Sequence, residues 1–592
     1  MRIAALVVCP LLLVAAIEGG LWIFGYGSST VLFKKTLGGE SYTLNEKFLI
    51  QFYSGPAATG KIVPCLIPVN KTSGTTRIFV MGESAAQGTP EPALGFARIL
   101  EHMLRTQFPS RRFEVVNAAM RGVNSHILAP AARQCAALSP DVFVFYVGNN
   151  EVVGLHAPGP DSGLVDRYRS LMEASRWLRS LRVGQWLVGL HQAAKASSAP
   201  KQDMEFFRRY RISLDDPRRT AVYRNFSDNL QDMCRSASRS GARIVLSTVA
   251  VNWRDCPPLG SLHRPDLTGP QAAEWETLYA KAIRAEANGQ NEAAIEQYLA
   301  AAGVDDRFAE LHFRLGRCLY AMDRFDEARL HYSLACDLDA LPFRADSKVN
   351  QVIREVAAGW RDGPLVLVDS ERILADSQPD DHGIPGQALF RDHVHLTFAG
   401  DYLLACALLP TVAAAAGLGT DALGEPPSQA QCAAALGCTA WTELQMDSGI
   451  AISSNQPPFL DQLDHSRTQA RMDQSIAGRT RQMTKAQIQE AASALTSAIA
   501  RNPDDWHLHH LYGLYAQDQE DFKTAADQFA FEVGLFPDHL TSRLNYAMAL
   551  AQAGESEAAS VQFKEALRID PGNAAARSGI AWLQSHTGLP RR

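Results

Sequence analysis

Two short motifs carry the residue types that nucleophilic catalysis needs. Gly82-Glu83-Ser84 follows an apolar strand-like run, and Asp392-His393-Val394-His395 precedes an apolar helical run. A serine hydroxyl is a weak nucleophile until a neighbouring base takes its proton. His395 is such a base. Asp392, three residues earlier, can hold the imidazole nitrogen that faces away from the serine, fixing tautomer and orientation. His393 competes for the role but adjoins Asp392, and is read as packing or hydrogen-bonding locally. A third segment, Gly148-Asn149-Asn150-Glu151, ends another strand-like run. The Asn150 amide is a neutral donor for a developing oxyanion, glycine at Gly122 lets a backbone N–H approach the same oxygen, and the Ser84 N–H makes a third donor. Glu83 and Glu151 are read as structural supports beside the reacting groups. Each residue also has a plain reading: Ser84 as a helix cap, Asp392 to His395 as a cap with surface histidines, Asn150 as a turn residue.

Residues so far apart need a sheet to bring them together. Apolar runs at Thr76–Met81, Phe113–Asn117, Asp141–Val147, Ala242–Val251 and Pro364–Val368 alternate with helical patterns. Strands buried on both faces and separated by helices imply a parallel sheet covered on both sides. Ser84 then sits where a strand turns into a helix. His395 sits where a loop enters the helix that runs through Tyr402–Val412.

Two intervals interrupt this pattern. Residues Asp166–Tyr210 hold amphipathic runs rich in Arg, Trp and Leu, suited to capping the site, docking on a membrane, or covering the sheet. The second interval is periodic: Ala328 and Tyr332 repeat Ala294 and Tyr298 at 34 residues, with Leu315, Gly316, Leu319 and Ala335 at the small and large positions of a helical hairpin. Near the C-terminus Pro503, Pro537 and Pro571 recur at the same spacing. There Ala525 and Phe529 return as Ala559 and Phe563, Tyr512-Gly513 is matched by Tyr546-Ala547, and Ala491 and Leu495 begin a partial unit. Stacked units of this kind expose a concave surface for binding.

The four blocks, in order, resemble the SGNH (GDSL-like) hydrolase family: Ser84 in MGESAAQG, Gly122 in NAAMRG, Asn150 in YVGNNE, and His395 in DHVH with Asp392 before it. Two positions depart from the pattern, since Glu83 and Glu151 stand where the family commonly has Asp. The resemblance covers about residues 77–409 with the two insertions. It implies an α/β fold, a flavodoxin-like three-layer α/β/α domain with a Ser-His-Asp set and an oxyanion hole from Ser84, Gly122 and Asn150. Members hydrolyse or transfer acyl groups on lipids, small esters and carbohydrates. A second resemblance, to tetratricopeptide repeats, covers about 293–338 and 491–585 and implies an all-α C-terminal domain that binds a protein partner.

Length and composition bound the rest. A chain of 592 residues exceeds one hydrophobic core. With 57 Lys and Arg against 63 Asp and Glu, it has no broad basic surface, which argues against nucleic acid. Ala4–Tyr26 is uncharged except for Glu18, about long enough to cross a bilayer, and aromatic at its end. It is read as an uncleaved anchor in the cytoplasmic membrane with the body on the extracytoplasmic side, a signal peptide or buried helix being the alternatives. Ten cysteines do not make a disulfide scaffold, though Cys432 and Cys438 are close enough to pair outside the cytoplasm. No CxxC, HExxH or Cys/His cluster suggests zinc, and the proposed chemistry requires no cofactor.

The expected organisation is an anchor at 1–30 and a hydrolase-like domain at 31–416 with insertions at about 160–215 and 268–341. A linking region with local helix follows at 417–480, then repeats at 481–592. The expected function is a membrane-anchored serine esterase or O-acyltransferase acting on an acyl, by preference acetyl, ester of an envelope or exported glycan. Two other readings stand beside it. One is a repeat-bearing scaffold for envelope or polysaccharide export. The other is a lipase or lysophospholipase, motivated by the anchor and by Trp177, Leu178, Trp186 and Leu187 in a lid-like segment.

Overall fold

A computed structural model describes residues 2–36, 38–53, 61–158, 169–195, 204–378, 382–419 and 423–587, with the side chains of 2–7, 10–11, 192–195 and 587 left aside. The chain enters through helix α1 (Arg2–Ile23) and a small antiparallel sheet of β1 (Phe33–Lys35), β2 (Ser41–Leu44) and β3 (Ile67–Pro68). Leu12–Ile23 of α1 is a short apolar stretch. Its charge, Glu18, accepts the backbone N–H groups of Arg182 and Val183, each at 2.9 Å. Those are the first N–H groups of a helix described below, where a carboxylate is favoured by the unpaired donors and the helix dipole.

Five strands then form a parallel sheet: β4 (Thr75–Gly82), β5 (Arg112–Asn117), β6 (Val142–Tyr146), β7 (Arg243–Ser247) and β8 (Leu365–Val368), in the order β5-β4-β6-β7-β8. Every residue of β4 and of β6 is buried, because helices cover both faces. The helices following β4 and β5 are α2 (Ser84–Gln87), α3 (Phe96–Gln107) and α4 (Ser125–Cys135). After α5 (Arg169–Ser180), α6 (Arg182–Lys195) and α7 (Met204–Arg209) comes the long α8 (Pro217–Arg239). Four helices, α9 (Gly269–Ala287), α10 (Asn291–Val304), α11 (Ala309–Tyr320) and α12 (Phe325–Asp337), stand between β7 and α13 (Ser347–Gly359); α14 (Ser370–Asp376) and α15 (Phe398–Ala415) follow β8. Helices α4, α8 and α13 pack together on one face of the sheet, and α3 packs with α15 on the other. By order of appearance the strands run 2-1-3-4-5, and the chain reverses its direction of travel between β4 and β6. In such sheets the crevice outside the strand ends at that point is where ligands bind.

The strand expected over Ala242–Val251 ends at Ser247. Thr248 N–H still donates to Val368 O at 3.1 Å, and the next two N–H groups go to side chains: Val249 donates to Asn350 Oδ1 at 2.9 Å and Ala250 to Tyr146 Oη at 3.1 Å. The chain leaves the sheet there and reaches the loop of Asp392, where Asn252 N–H donates to His393 O at 3.0 Å.

Both insertions are helical. Trp177, Leu178, Trp186 and Leu187 are exposed on α5 and α6, and residues 159–168 and 196–203 of that insertion lie outside the described residues. In the second, Ala294, Tyr298, Ala328 and Tyr332 are buried. A side chain at Gly316 would start 3.2 Å from the Tyr332 ring, a tight contact, so glycine eases the close approach of α11 and α12 around that aromatic.

Residues 417–480, read as a linking region, form α16 (Gln429–Leu436), α17 (Ala440–Ser454) and α18 (His465–Gln482). α16 packs on α3 and on the first repeat helix, α19 (Lys485–Arg501), which also receives α17. Cys432 and Cys438 are both free thiols. The repeats continue as α20 (Trp506–Asp518), α21 (Phe522–Leu535), α22 (Leu540–Gln552), α23 (Ser556–Ile569) and α24 (Ala574–Thr587), around buried Ala525, Phe529, Ala559 and Phe563.

Candidate active site

Ser84 is the first residue of α2, placed there by the end of β4. A Cβ on Gly82 would lie 2.1 Å from Tyr146 O and 2.5 Å from the Ala86 Cβ, so glycine is what lets β4 lie against β6 while α2 folds back over it. Glu83 occupies the extended position before the helix, and Gly88, at φ 90°, ends it by donating to Ser84 O and Ala85 O. The result is a strand, a one-residue bend and a single helical turn that presents the hydroxyl at the sheet edge.

His395 comes from a loop held by its own backbone. Asp392 Oδ1 accepts the N–H groups of Val394 and His395 at 2.9 and 2.8 Å, and Arg391 N–H donates to His395 O at 2.8 Å. From outside the loop, Asn252 Nδ2 donates to Asp392 O at 2.9 Å. This leaves Asp392 Oδ2 free to receive His395 Nδ1 at 2.6 Å, and His395 Nε2 lies 2.8 Å from Ser84 Oγ. With Nδ1–H donating to Asp392, Nε2 is the lone-pair nitrogen and the serine hydroxyl donates to it. Asp392 and His395 are 15% and 12% exposed at their side chains, which keeps this line of hydrogen bonds mostly out of water.

The electrostatics follow from that burial. Burial opposes the charged form of Asp392, but the attraction of His393 and His395 and the hydrogen bonds from His395 outweigh it and hold the carboxyl well below the usual range. His393 is buried and pushed down to about 4, with Asp392 opposing the shift. Its Nδ1 lies 3.4 Å from Asp392 Oδ1, and its ring meets Phe459 at 5.3 Å between centroids. Asp392, His393 and His395 have ligand-type atoms within 4.8 Å of one another. An ion there would have to part the hydrogen bond between Asp392 and His395.

The segments of Gly122 and Asn150 meet the serine segment at Gly82. Met120 N–H donates to Gly82 O at 3.1 Å, and Gly82 is in register with Tyr146. Ser84 is thus two residues beyond Gly82, Gly122 two beyond Met120, and Asn150 four beyond Tyr146. Gly122 has φ 63°, a conformation that favours glycine. Among the described residues none accepts from the N–H of Ser84 or of Gly122. The Asn150 amide donates one hydrogen to Val123 O at 2.9 Å, which orients it and leaves a second N–H.

Glu83 and Glu151 support this arrangement from below. Glu83, fully buried, accepts Gly148 N–H at 2.9 Å, and Glu151 accepts the N–H and hydroxyl of Ser125 at 2.8 and 2.7 Å. Burial and the nearby Glu151 push Glu83 well above the ordinary carboxyl range, and burial pushes Glu151 up to about 7. Both tie the end of β6 and the start of α4 to the serine bend.

Three neighbours carry no mark in the sequence. Lys61 Nζ and Tyr53 Oη each donate to Gly122 O at 3.1 Å, and burial, with Arg121 nearby, lowers Lys61 to about 8. The Arg391 guanidinium, 3% exposed, pairs with Glu443 and Asp447 of α17 directly before Asp392. Only the fold brings these groups to the site.

The tetratricopeptide repeat family model matches residues 279–344 and 511–574. No curated protein sequence matches the chain. Among solved structures, the acetyl xylan esterase AlAXEase is similar over 57% of this chain and 99% of its own, at 13% identity and a TM-score of 0.26. LAE5, an alpha/beta hydrolase enzyme from the metagenome of Lake Arreo, Spain, is similar over 58% and 95%, at 14% identity and 0.25. YrrB, a TPR protein with an unusual peptide-binding site, is similar over 51% and 90%, at 11% identity and 0.16. The chain therefore carries tetratricopeptide repeats in two places, one between β7 and β8 and one after the sheet domain.

Proposed function

We propose that this protein is a serine esterase or O-acyltransferase of the SGNH type, acting on an acyl ester, by preference acetyl, of an envelope or exported glycan. The observation that carries the reading is the unbroken hydrogen-bonded line from Ser84 Oγ through His395 to Asp392. In this reaction His395 Nε2 takes the Ser84 proton as the oxygen adds to the acyl carbonyl. The tetrahedral oxyanion is held by the N–H groups of Ser84 and Gly122 and the free N–H of Asn150. The imidazolium, stabilised by Asp392, gives its proton to the departing alcohol and leaves an acyl-Ser84 ester. Water or a sugar hydroxyl then adds to that ester, losing its proton to His395, and Ser84 regains a proton as the product leaves.

The apolar α1, with Trp22 and Ile23 exposed at its end and Phe24 exposed just beyond it, supports a membrane anchor, which we propose lies in the cytoplasmic membrane with the body outside. The repeats supply a surface for a protein partner. Two alternatives each have an observation behind them. The double set of repeats favours a scaffold, and the exposed Trp177, Leu178, Trp186 and Leu187 favour a lipid substrate.

Full-length protein and Ser84→Ala, given acetyl, butyryl and palmitoyl 4-nitrophenyl esters, separate these readings. Expected are turnover of the acetyl ester and an acetyl group mapped to Ser84 by peptide mass spectrometry, both absent in Ser84→Ala. No adduct and no turnover on any ester would leave the scaffold, and preference for palmitoyl would leave the lipase.

A further inference from the structure

Beside the catalytic loop lies a cleft of about 480 Å³, a volume in the range of ligand sites. One wall is the segment from Asn252 to Pro257 and the loop through Asp392 and His393. The other is α17, the turn at Phe459 and the length of α18. α18 is 18 residues long with no buried side chain. A helix polar on all sides has no core of its own to cover. Its Thr468, Gln469, Arg471 and Ser475 face the cleft.

The lining selects for chemistry. Three arginines face four carboxylates, with amides and hydroxyls between them. Two of those arginines are already taken: Arg391 by Glu443 at 2.6 Å and by Asp447, Arg479 by Asp447 at 2.6 Å. An anion therefore meets no unopposed positive cluster. Amide side chains donate and accept at once, which matches a ligand whose groups also do both. Gln469 Oε1 has no partner among the described residues. Phe459, tilted against His393 with ring centroids 5.3 Å apart, supplies an apolar surface for ring C–H groups.

We propose that this cleft binds a neutral, hydroxyl-rich saccharide segment and holds the glycan part of the substrate against the Asp392–His393 side of the catalytic loop. Its relation to the reaction rests on the acyl-transfer reading above: the His393 and His395 rings are 5.6 Å apart, so a ligand against His393 lies one side chain from the base. Saccharide binding does not depend on that reading and is measured separately.

Calorimetric titration of full-length Ser84→Ala with xylotetraose, mannotetraose, tetra-N-acetylchitotetraose and anionic tetragalacturonate tests the proposal. At least one neutral tetrasaccharide is expected to bind at least tenfold more tightly than tetragalacturonate. The double variant Gln469→Ala/Arg471→Ala, and separately Phe459→Ala, should weaken it at least tenfold with an unchanged circular dichroism spectrum. In protein with Ser84 intact, the same substitutions should lower the ratio of kcat/KM for the acetylated tetrasaccharide to that for 4-nitrophenyl acetate at least tenfold. Absence of binding by all three neutral probes, tighter binding of tetragalacturonate, or binding indifferent to both cleft variants would overturn the proposal. If saccharide binds through the cleft while Ser84 takes no acyl group, the cleft stands and the acyl-transfer reading falls. If aryl esters are turned over while no neutral saccharide binds, the reverse holds.

Discussion

Arg391 Nη2 donates to Glu443 Oε2 at 2.6 Å, and the next residue in the chain is Asp392. The loop that carries the aspartate and the histidine is therefore tied to α17, which lies beyond the sheet domain in sequence. α17 is tied in turn to the repeats, since Trp441 Nε1 donates to Asp518 Oδ2 at 2.7 Å and its ring meets Tyr515 edge-on. The ion pairs of Arg391 with α17 thus adjoin the hydrogen bonds of Asp392.

Arg391→Ala takes away the cation that Glu443 and Asp447 share, leaving Glu443 without that partner while Asp447 keeps Arg479. Breaking a buried pair on one side costs several kcal/mol, and the partial exposure of both carboxylates reduces this to about 2 kcal/mol. Urea denaturation should show that loss. Aryl-acetate kcat should fall as well although no reacting group is touched, and Glu443→Gln should fall between wild type and Arg391→Ala on both measures.

Asp392→Asn keeps the shape of the loop and removes the charge that fixes the imidazole. Steady-state kinetics on 4-nitrophenyl acetate should give a kcat about 10⁴ lower with KM little changed, as for loss of the orienting acid in a serine triad. A variant retaining most of its kcat would show that His395 does not depend on Asp392 for its orientation.

Asn150→Ala removes one donor of the proposed oxyanion site and leaves Ser84 and His395 in place. A fall in kcat of about 10² to 10³ is expected, with acyl-Ser84 still detectable at long incubation. An unchanged kcat would place the oxyanion elsewhere.

Gly82→Ala puts a methyl group 2.1 Å from a backbone oxygen of the neighbouring strand. Neither partner is the end of a flexible side chain, so β4 and β6 must part where Ser84 begins. The cost is about 1 to 3 kcal/mol or more. Thermal unfolding should register it, and esterase activity should drop further than in a core variant of equal stability.

His510 of the repeats is pushed up to about 9: burial opposes the charge, but Glu532, 2.5 Å away, and Glu91 from the sheet domain more than compensate. A raised folded pKa means that the stabilisation is complete below the unfolded value of about 6.5 and is lost as pH rises towards 9. Chemical denaturation between these values should show stability falling by roughly 2 kcal/mol. His510→Gln should flatten that slope. The neighbouring His507, which burial pushes well below the ordinary range, changes stability on the acid side instead and leaves this window untouched.

Much of this architecture is local and so is legible in the chain. A strand buried on both faces must be apolar along its length, which is why the runs ending at Gly82 and Gly148 stand out and why Ser84 and Asn150 are found at their ends. The repeats are legible for a similar reason: each hairpin reuses one small and one aromatic position, so Ala525 with Phe529 returns as Ala559 with Phe563. The end of β7 was less legible, because Val249 and Ala250 are as apolar as the strand before them. What takes them off the sheet is Asn350 and Tyr146, distant residues that capture their N–H groups.

The sequence by itself singled out Ser84, Asp392 and His395, the order of the strands along the chain and the two repeat modules, because each is written in residue type and short-range spacing. Only the tertiary structure decided that Ser84 and His395 meet at 2.8 Å across 311 residues, that Lys61 and Tyr53 brace Gly122, and that α17 and α18 wall a cleft of mixed polar and apolar lining beside Asp392. Those are contacts between surfaces that carry no periodic signal. A lysine, a glutamate and a polar helix look like solvated residues until the fold sets another segment against them.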